Sequence, residues 1–352
     1  MSTLTAMHAE GQRRWRVVGL IVVVLGLLLG LSSGAGAAGS PPSPQPTGGG
    51  FDFGVEPYTA PGAPVRGAFE YDVAAGQTIN DRVMLVNNTS AAKALVLYGA
   101  DAFTAEVGGG FALRPHSDPL HDAGGWIGLP VANYTVPANT IALVPVSFNV
   151  PADATPGDHI AGVVAEEVVP NVRAQSGTGF VTVHRVAARL YLRVAGVLRP
   201  QLSVQNFLLQ HSEPLVPYVT GRGTVKVVFT VANTGNVRVK LDKVTVKLTG
   251  LFGGTVKQSS LSRAPTGQPQ TSGLPDELLP GGKVLFTREF KSLPPIDRLT
   301  AHVVVDGHDP VLNSPIHTSR TETYWIIPWL VLLIAAALVA GIWWWRRRRR
   351  EA

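Results

Sequence analysis

The stretch HRVAARLYLRV sets Arg185, Arg189, Tyr191 and Arg193 on odd-numbered positions and Val186, Ala188, Leu190, Leu192 and Val194 on the even ones. Read as a β-strand, whose side chains point alternately to its two faces, it places three guanidinium groups and a phenol on one face and an apolar row on the other. A guanidinium is a planar, bidentate donor, so such a face, if exposed, suits the carboxylates or phosphates of a wall polymer. The same residues also suit a solvated face partly paired with its strand neighbours. Trp126, in the glycine-rich loop DAGGWIG, is a second binding candidate. Its indole stacks on a sugar ring if exposed and anchors a core if buried.

Other clusters offer less chemistry. RPHSDPLHDAGGW gathers His116, Asp118, His121 and Asp122 within seven positions, yet a loop bearing Gly and Pro lacks the fixed geometry and supporting contacts that a metal site needs. DGHDP, with Asp306, His308 and Asp309, reads as a turn at a strand end, since its spacing departs from an EF-hand loop. Beyond the expected signal peptide, where GLSSG spans residues 30–34, no G-x-S-x-G elbow occurs, and the chain has no phosphate-binding G-x-x-x-x-G-K-[ST] loop. Glu166 and Glu167 are adjacent, so on a strand they face opposite ways and cannot serve one substrate as an acid and base pair. The chain has no cysteine, which removes disulfides, thiolate ligands and thiol nucleophiles. The expectation is a protein that is not an enzyme and uses neither metal nor cofactor.

The elements that would carry these residues are strands. FEYDV puts Phe69, Tyr71 and Val73 on one face, and Val144, Val146, Phe148 and Val150 keep a strict period of two. Val225, Val227, Phe229 and Val231 repeat the pattern further on. After Val237, Val239 and Leu241 the phase slips to Val244, Val246 and Leu248, which predicts a bulge near Asp242. AAGQT, NNTS, VPADATPGDH and ANTGN separate the runs and read as turns. NNTS also carries N-x-S/T sequons at Asn87 and Asn88, with a third at Asn133, read here as turn residues. Short strands at regular spacing predict an all-β chain of two tandem immunoglobulin-like β-sandwiches.

The two ends of the sequence predict a membrane topology. Arg13, Arg14 and Arg16 precede an apolar run and small residues, as in a signal peptide over 1–37. Residues 38–50, AGSPPSPQPTGGG from Ala38 onward, form a Pro/Gly/Ser-rich linker. Sandwiches are expected over 51–196 and 199–309, and a juxtamembrane segment over 310–325. Twenty uncharged residues, 326–345, are long enough for a transmembrane helix. Tryptophans flank it, and the basic tail 346–352 follows. This implies a single-pass membrane protein with its sandwiches outside the cell, its C-terminus cytoplasmic, and membrane lipid around the span. The net charge of +6 comes wholly from the flanks, for residues 38–323 hold 22 basic and 22 acidic side chains. Nucleic acid is therefore not an expected partner. The charge divides, with 8 basic and 13 acidic residues in 51–196 against 14 and 9 in 199–323.

FDFGVEPY, GAFEYDVAAGQTINDRVMLVNNTS and VPVSFNVPADATPGDHIAGVVAEE together resemble the N-terminal domain of the WxL-interacting proteins of Gram-positive cell surfaces. The resemblance covers roughly Phe51 to Val169. It implies a signal peptide, two immunoglobulin-like domains, one C-terminal span and a basic tail, with peptidoglycan binding in the first domain. The second domain matches only at VANTGN, and the chain has no W-x-L tripeptide. The sequence thus points to a membrane-anchored envelope protein that binds peptidoglycan or another wall polymer, or a surface-exposed protein. A chaperone-like or assembly subunit, engaging an exported partner by β-augmentation, is the alternative.

Overall fold

Ten strands make the first sandwich: β1 (Phe53–Pro57), β2 (Phe69–Val73), β3 (Thr78–Asn87), β4 (Lys93–Thr104), β5 (Phe111–Leu113), β6 (Ile127–Gly128), β7 (Asn133–Val136), β8 (Thr140–Asn149), β9 (Gly157–Glu167) and β10 (Arg185–Val194). The computed structural model describes residues 52–167, 183–212, 223–264, 273–293, 297–326 and 329–351, all within one compact unit, Gly50–Ala352. The expected signal peptide and the linker up to residue 50 lie outside the described residues.

One sheet runs β1-β3-β8-β6, and the other β2-β10-β9-β4-β5 with β7 also on β4. The chain crosses between the sheets after Pro57, since β1 pairs antiparallel with β3 whereas β2 pairs parallel with β10. The alternation seen in sequence sets the core. Val144, Val146 and Phe148 from β8 meet Ala188, Leu190, Leu192 and Val194 from β10. Phe69 and Phe148 pack edge to face across the layer, their ring centroids 5.2 Å apart.

The second sandwich comprises β11 (Leu202–Ser212), β12 (Gly223–Asn233), β13 (Lys240–Thr249), β14 (Thr255–Ser262), β15 (Lys283–Leu293), β16 (Asp297–His308) and β17 (Pro315–Ile326). Its sheets run β11-β12-β15 and β14-β13-β16-β17. Their inner faces bury Val225, Val227, Phe229, Val244, Val246, Leu248, Val303 and Val305. The ladder between β13 and β16 shifts register between Leu241 and Lys243, so the extra residue is Asp242, where the hydrophobic phase slips in the sequence. Residues 315 to 326 extend the sheet as β17, beyond the expected end of this sandwich at 309, and pair with β16 from Pro315 to Ile326.

Strand pairing also shortens the terminal helix. Because Ile326 completes β17, helix α1 (Trp329–Glu351) begins three residues later than the sequence suggested, and its uncharged stretch ends at Trp345. Seventeen residues rise only ~26 Å, short of a ~30 Å bilayer core. Among the described residues no helix is long and apolar enough to cross a membrane. The expected transmembrane helix over 326–345, the single-pass localisation and the lipid contact through that span are corrected accordingly.

Both sandwiches use one turn device. Asn87, at the end of β3, is buried and donates from Nδ2 to the carbonyls of Ala91, Val136 and Pro137, while its Oδ1 accepts the Thr89 N–H at 2.9 Å. Asn233, at the end of β12, donates to Val237 and Leu278 at 2.7 and 2.9 Å and accepts the Gly235 N–H at 3.0 Å. Each amide thus bonds carbonyls on both sides of its turn, Val237 among them, although Leu278 also accepts the Val239 N–H and Pro137 the Thr140 hydroxyl. Asn233→Ala is expected to destabilise the protein by about 1–3 kcal/mol, the cost of leaving such groups unsatisfied. Urea unfolding measures it, and a loss below ~0.5 kcal/mol would show that the turn keeps its form without the amide.

Candidate functional site

The strand alternation of β10 holds, but its odd-numbered face is not free. The second sandwich covers most of it. Tyr191 and Arg193 are each only 8 % exposed. Arg193 lies opposite Asp158 of the antiparallel neighbour β9 and grips it bidentately at 2.6 and 2.8 Å. Its Nη2 also reaches Asp309 of the second sandwich at 3.1 Å. Asp158 in turn accepts the backbone N–H of Arg238 at 2.8 Å. The Arg238 guanidinium sits 3.8 Å above the Tyr191 ring, and the Tyr191 hydroxyl donates to Glu277. Arg189 lies over Phe111 at 4.4 Å, with Glu277 3.7 Å away. Arg185 alone of the set is exposed on its strand, and its side chain bonds Tyr98.

These contacts set the electrostatics. Burial, with Glu277 alongside, pushes the Tyr191 hydroxyl up to about 12. Burial would raise the Asp309 carboxyl, but the N–H groups of Val311 and Leu312 and the Arg193 guanidinium outweigh it, so its pKa falls below the usual aspartate value.

Backbone contacts close the same junction. Asn236 donates from Nδ2 to the carbonyls of Pro156 and Val197 at 2.7 and 2.9 Å, and its own carbonyl accepts the Asp158 N–H at 2.8 Å. The approach requires glycine at 157: its φ is +126°, and a Cβ there would stand 2.2 Å from the Asn236 oxygen. Beside this contact lies a groove of about 510 Å³ lined by His121, Asp122, Trp126, His159, Asn236 and Pro280. Trp126 ends a short 3-10 turn, Ala123–Trp126. It is half-buried against the first core and tilted on the His159 ring at 4.6 Å.

His159 is fixed by Asp122 at 2.5 Å and the Thr155 carbonyl at 2.8 Å. These raise its pKa although burial opposes them. The other members of the His and Asp cluster are spread apart, for His116 stacks on Tyr98 and Asp118 faces Arg114. Among the described residues no three such side chains converge as metal ligands.

The expectation that Arg185, Arg189, Tyr191 and Arg193 form an exposed wall-binding face is therefore corrected. The alternation gave the right faces, but Tyr191 and Arg193 are consumed in joining the two sandwiches. Peptidoglycan binding through that face falls with it.

A different feature is open. Most edge strands of the first sandwich are short: β1 and β2 have five residues, β7 four, β5 three and β6 two. In the second, β11 and β17 lie together on one side, where Arg320 reaches the Val204 carbonyl at 3.2 Å. On the other side β15 gives its Leu285 N–H to the Glu106 carbonyl of the first sandwich at 3.0 Å. That leaves β14, eight residues long and, among the described residues, paired only with β13. The bond from Arg263 N–H to the Asp242 carbonyl at 2.8 Å fixes the phase of that ladder. By antiparallel alternation, Ser259 and Leu261 then face β13, and the backbone groups of Gln258, Ser260 and Ser262 face outward. Sequence reasoning missed this strand because TVKQSSLS has no apolar row. The signal available was a turn, LFGG, followed by a run without Pro.

No family model and no curated protein matches the chain. Among solved structures it is similar to a chaperone and tip-adhesin complex of CFA/I fimbriae biogenesis, with a TM-score of 0.37 and 9 % identity over 77 % of this chain and 98 % of that one. It is similar too to a CsuC–CsuE chaperone and tip-subunit pre-assembly complex of Acinetobacter baumannii Csu pili, with a TM-score of 0.34 and 10 % identity over 70 % and 93 %. A third is the Pseudomonas aeruginosa CupB2 chaperone, with a TM-score of 0.31 and 11 % identity over 72 % and 96 %.

Arg193→Gln is expected to cost about 3–5 kcal/mol at pH 7, because it strands Asp158 and Asp309 in the interior. Asp309 titrates lower when folded than unfolded, so its contribution is present above pH ~4 and fades as the pH falls through its folded value. The gap between the variant and the unaltered protein should therefore narrow at pH 3. Urea midpoints at the two pH values test both statements, and a near-neutral variant at pH 7 would show the junction to be held elsewhere.

Proposed function

We propose that the chain is a non-enzymatic protein-binding subunit, chaperone-like or assembling in role, whose two sandwiches are immunoglobulin-like and whose partner is an exported protein. It takes an extended segment of that partner as an added strand along β14. The observation that carries this reading is the eight-residue edge with outward backbone groups at Gln258, Ser260 and Ser262. Long flat edges are what soluble β proteins normally blunt with charges, prolines, bulges or covering loops. Among the described residues this chain blunts or covers its other long edges and leaves β14 with one charged residue, Lys257, no proline, and a register shift confined to Val256 near its start. The rigid junction supports the role, since an edge is a usable template only when its sheet is held still.

An unbiased set of extended decapeptides tests the reading. Binding peptides should slow hydrogen exchange of the Gln258 and Ser260 amides, and Ser260→Pro, which removes an outward N–H while sparing the ladder to β13, should abolish binding. If peptides bind without protecting those amides, or Ser260→Pro binds as well as the unaltered protein, β14 is not the docking edge.

A further inference from the structure

Resting on the β14 reading, we infer that the segment it takes is acidic, with carboxylates four residues apart on the face it shares with Lys243 and Lys247. On β13, Lys243, Thr245 and Lys247 lie directly opposite Ser262, Ser260 and Gln258 of β14, and all six share the outer face of the sheet. Their inward neighbours Val244, Val246 and Leu248 fill the core. Among the described residues neither Lys243 nor Lys247 has an ion-pair partner. The acid nearest in register to Lys243, Asp306 of β16, is held by His317 at 2.7 Å. His302, opposite Lys247, is tied to Thr249 and Thr321 at 3.2 and 3.0 Å. Two ammonium groups therefore stand free beside the open edge.

The geometry sets the spacing. A strand added to β14 lies two strand spacings from β13, ~9.6 Å. The side chain between Lys243 and the edge is Ser262, too short to screen it, and the one beside Lys247 is the neutral amide of Gln258, so neither supplies a charge partner to the lysines, whose flexible four-carbon stems lean across one strand. Lys243 and Lys247 are four residues apart, ~13 Å along the strand. Carboxylates at positions i and i+4 of the incoming segment share one face and match that interval, with the residue at i+2 falling beside Ser260 and Thr245. Lys257, exposed at the same edge, is opposite Leu248 and so starts from the other face of the sheet, adding positive charge to the edge but not to the lysine row. A segment carrying lysine at those two positions would be repelled.

The test uses the full chain and three extended peptides that differ only at positions i and i+4, which hold Glu, Gln or Lys. Fluorescence anisotropy at low salt should rank them Glu, Gln, Lys, with the Glu peptide about five- to tenfold tighter than the Gln peptide, the size expected of two exposed ion pairs. The advantage should shrink at high salt. In the Lys243→Gln/Lys247→Gln variant the Glu and Gln peptides should bind alike, with the Gln peptide unchanged from the unaltered protein. Equal binding of Glu and Gln peptides to the unaltered chain, with both lost in Ser260→Pro, would overturn the acidic specificity and leave the edge reading standing. If none of the three binds at millimolar concentration, both fall together.

Discussion

The arrangement depends on one buried charge cluster, Arg193 held between Asp158 of its own sandwich and Asp309 of the next. Taking a guanidinium and two carboxylates out of water costs several kcal/mol per ion, and the cost is recovered only when geometry is good and the remaining bonds are made. Here the Arg238 backbone N–H adds to Asp158 and the N–H groups of Val311 and Leu312 add to Asp309 Oδ1, while Arg193 Nη1 and Asp309 Oδ2 stay buried without a hydrogen-bond partner among the described residues. Such a cluster tolerates one mutual placement of the two sandwiches and penalises others, since sliding them apart would expose half of each pair. Gly157 and Asn236 impose the same placement by steric fit.

That constraint decides which surfaces remain for work. Joining the sandwiches covers the arginine-bearing face of β10 and presses the loop at Glu106 onto β15. Arg320 draws β11 and β17 together on the opposite side. What is left is β14, which packs Val256 and Leu261 on the core but whose outward backbone groups meet no further strand among the described residues. The free lysines of β13 beside it give that edge a sign of charge as well as a direction.

Much of this was legible in the sequence because period-two alternation is a local property. The core rows of β8, β10 and β12 and the bulge at Asp242 all follow from residue spacing. What covers a face is not local. The alternation of β10 separates its arginines from its leucines, but the carboxylates of Asp309 and Glu277 that bury Tyr191 and Arg193 stand more than eighty residues away in sequence. For the same reason β17 claimed Ile326 from the apolar run. A hydropathy pattern records that a stretch is apolar, whereas the end of a strand is set by the partner that β16 offers. β14 was illegible for the opposite reason, as a polar edge strand carries no periodic signal.

The turn at Asn87 bears on how the protein can be made. Its Nδ2 is the atom to which an oligosaccharide is attached in an N-x-S/T sequon, and in the folded chain that atom is enclosed by three carbonyls. In a eukaryotic secretory host, transfer of a glycan and closure of this turn would compete for one nitrogen. Modification that came first would take the amide from the carbonyls of Val136 and Pro137, leaving Pro137 only the Thr140 hydroxyl, and lodge a bulky sugar where β3 must turn. Heterogeneous, partly misfolded material from such a host would then trace to a structural turn read as a glycosylation signal.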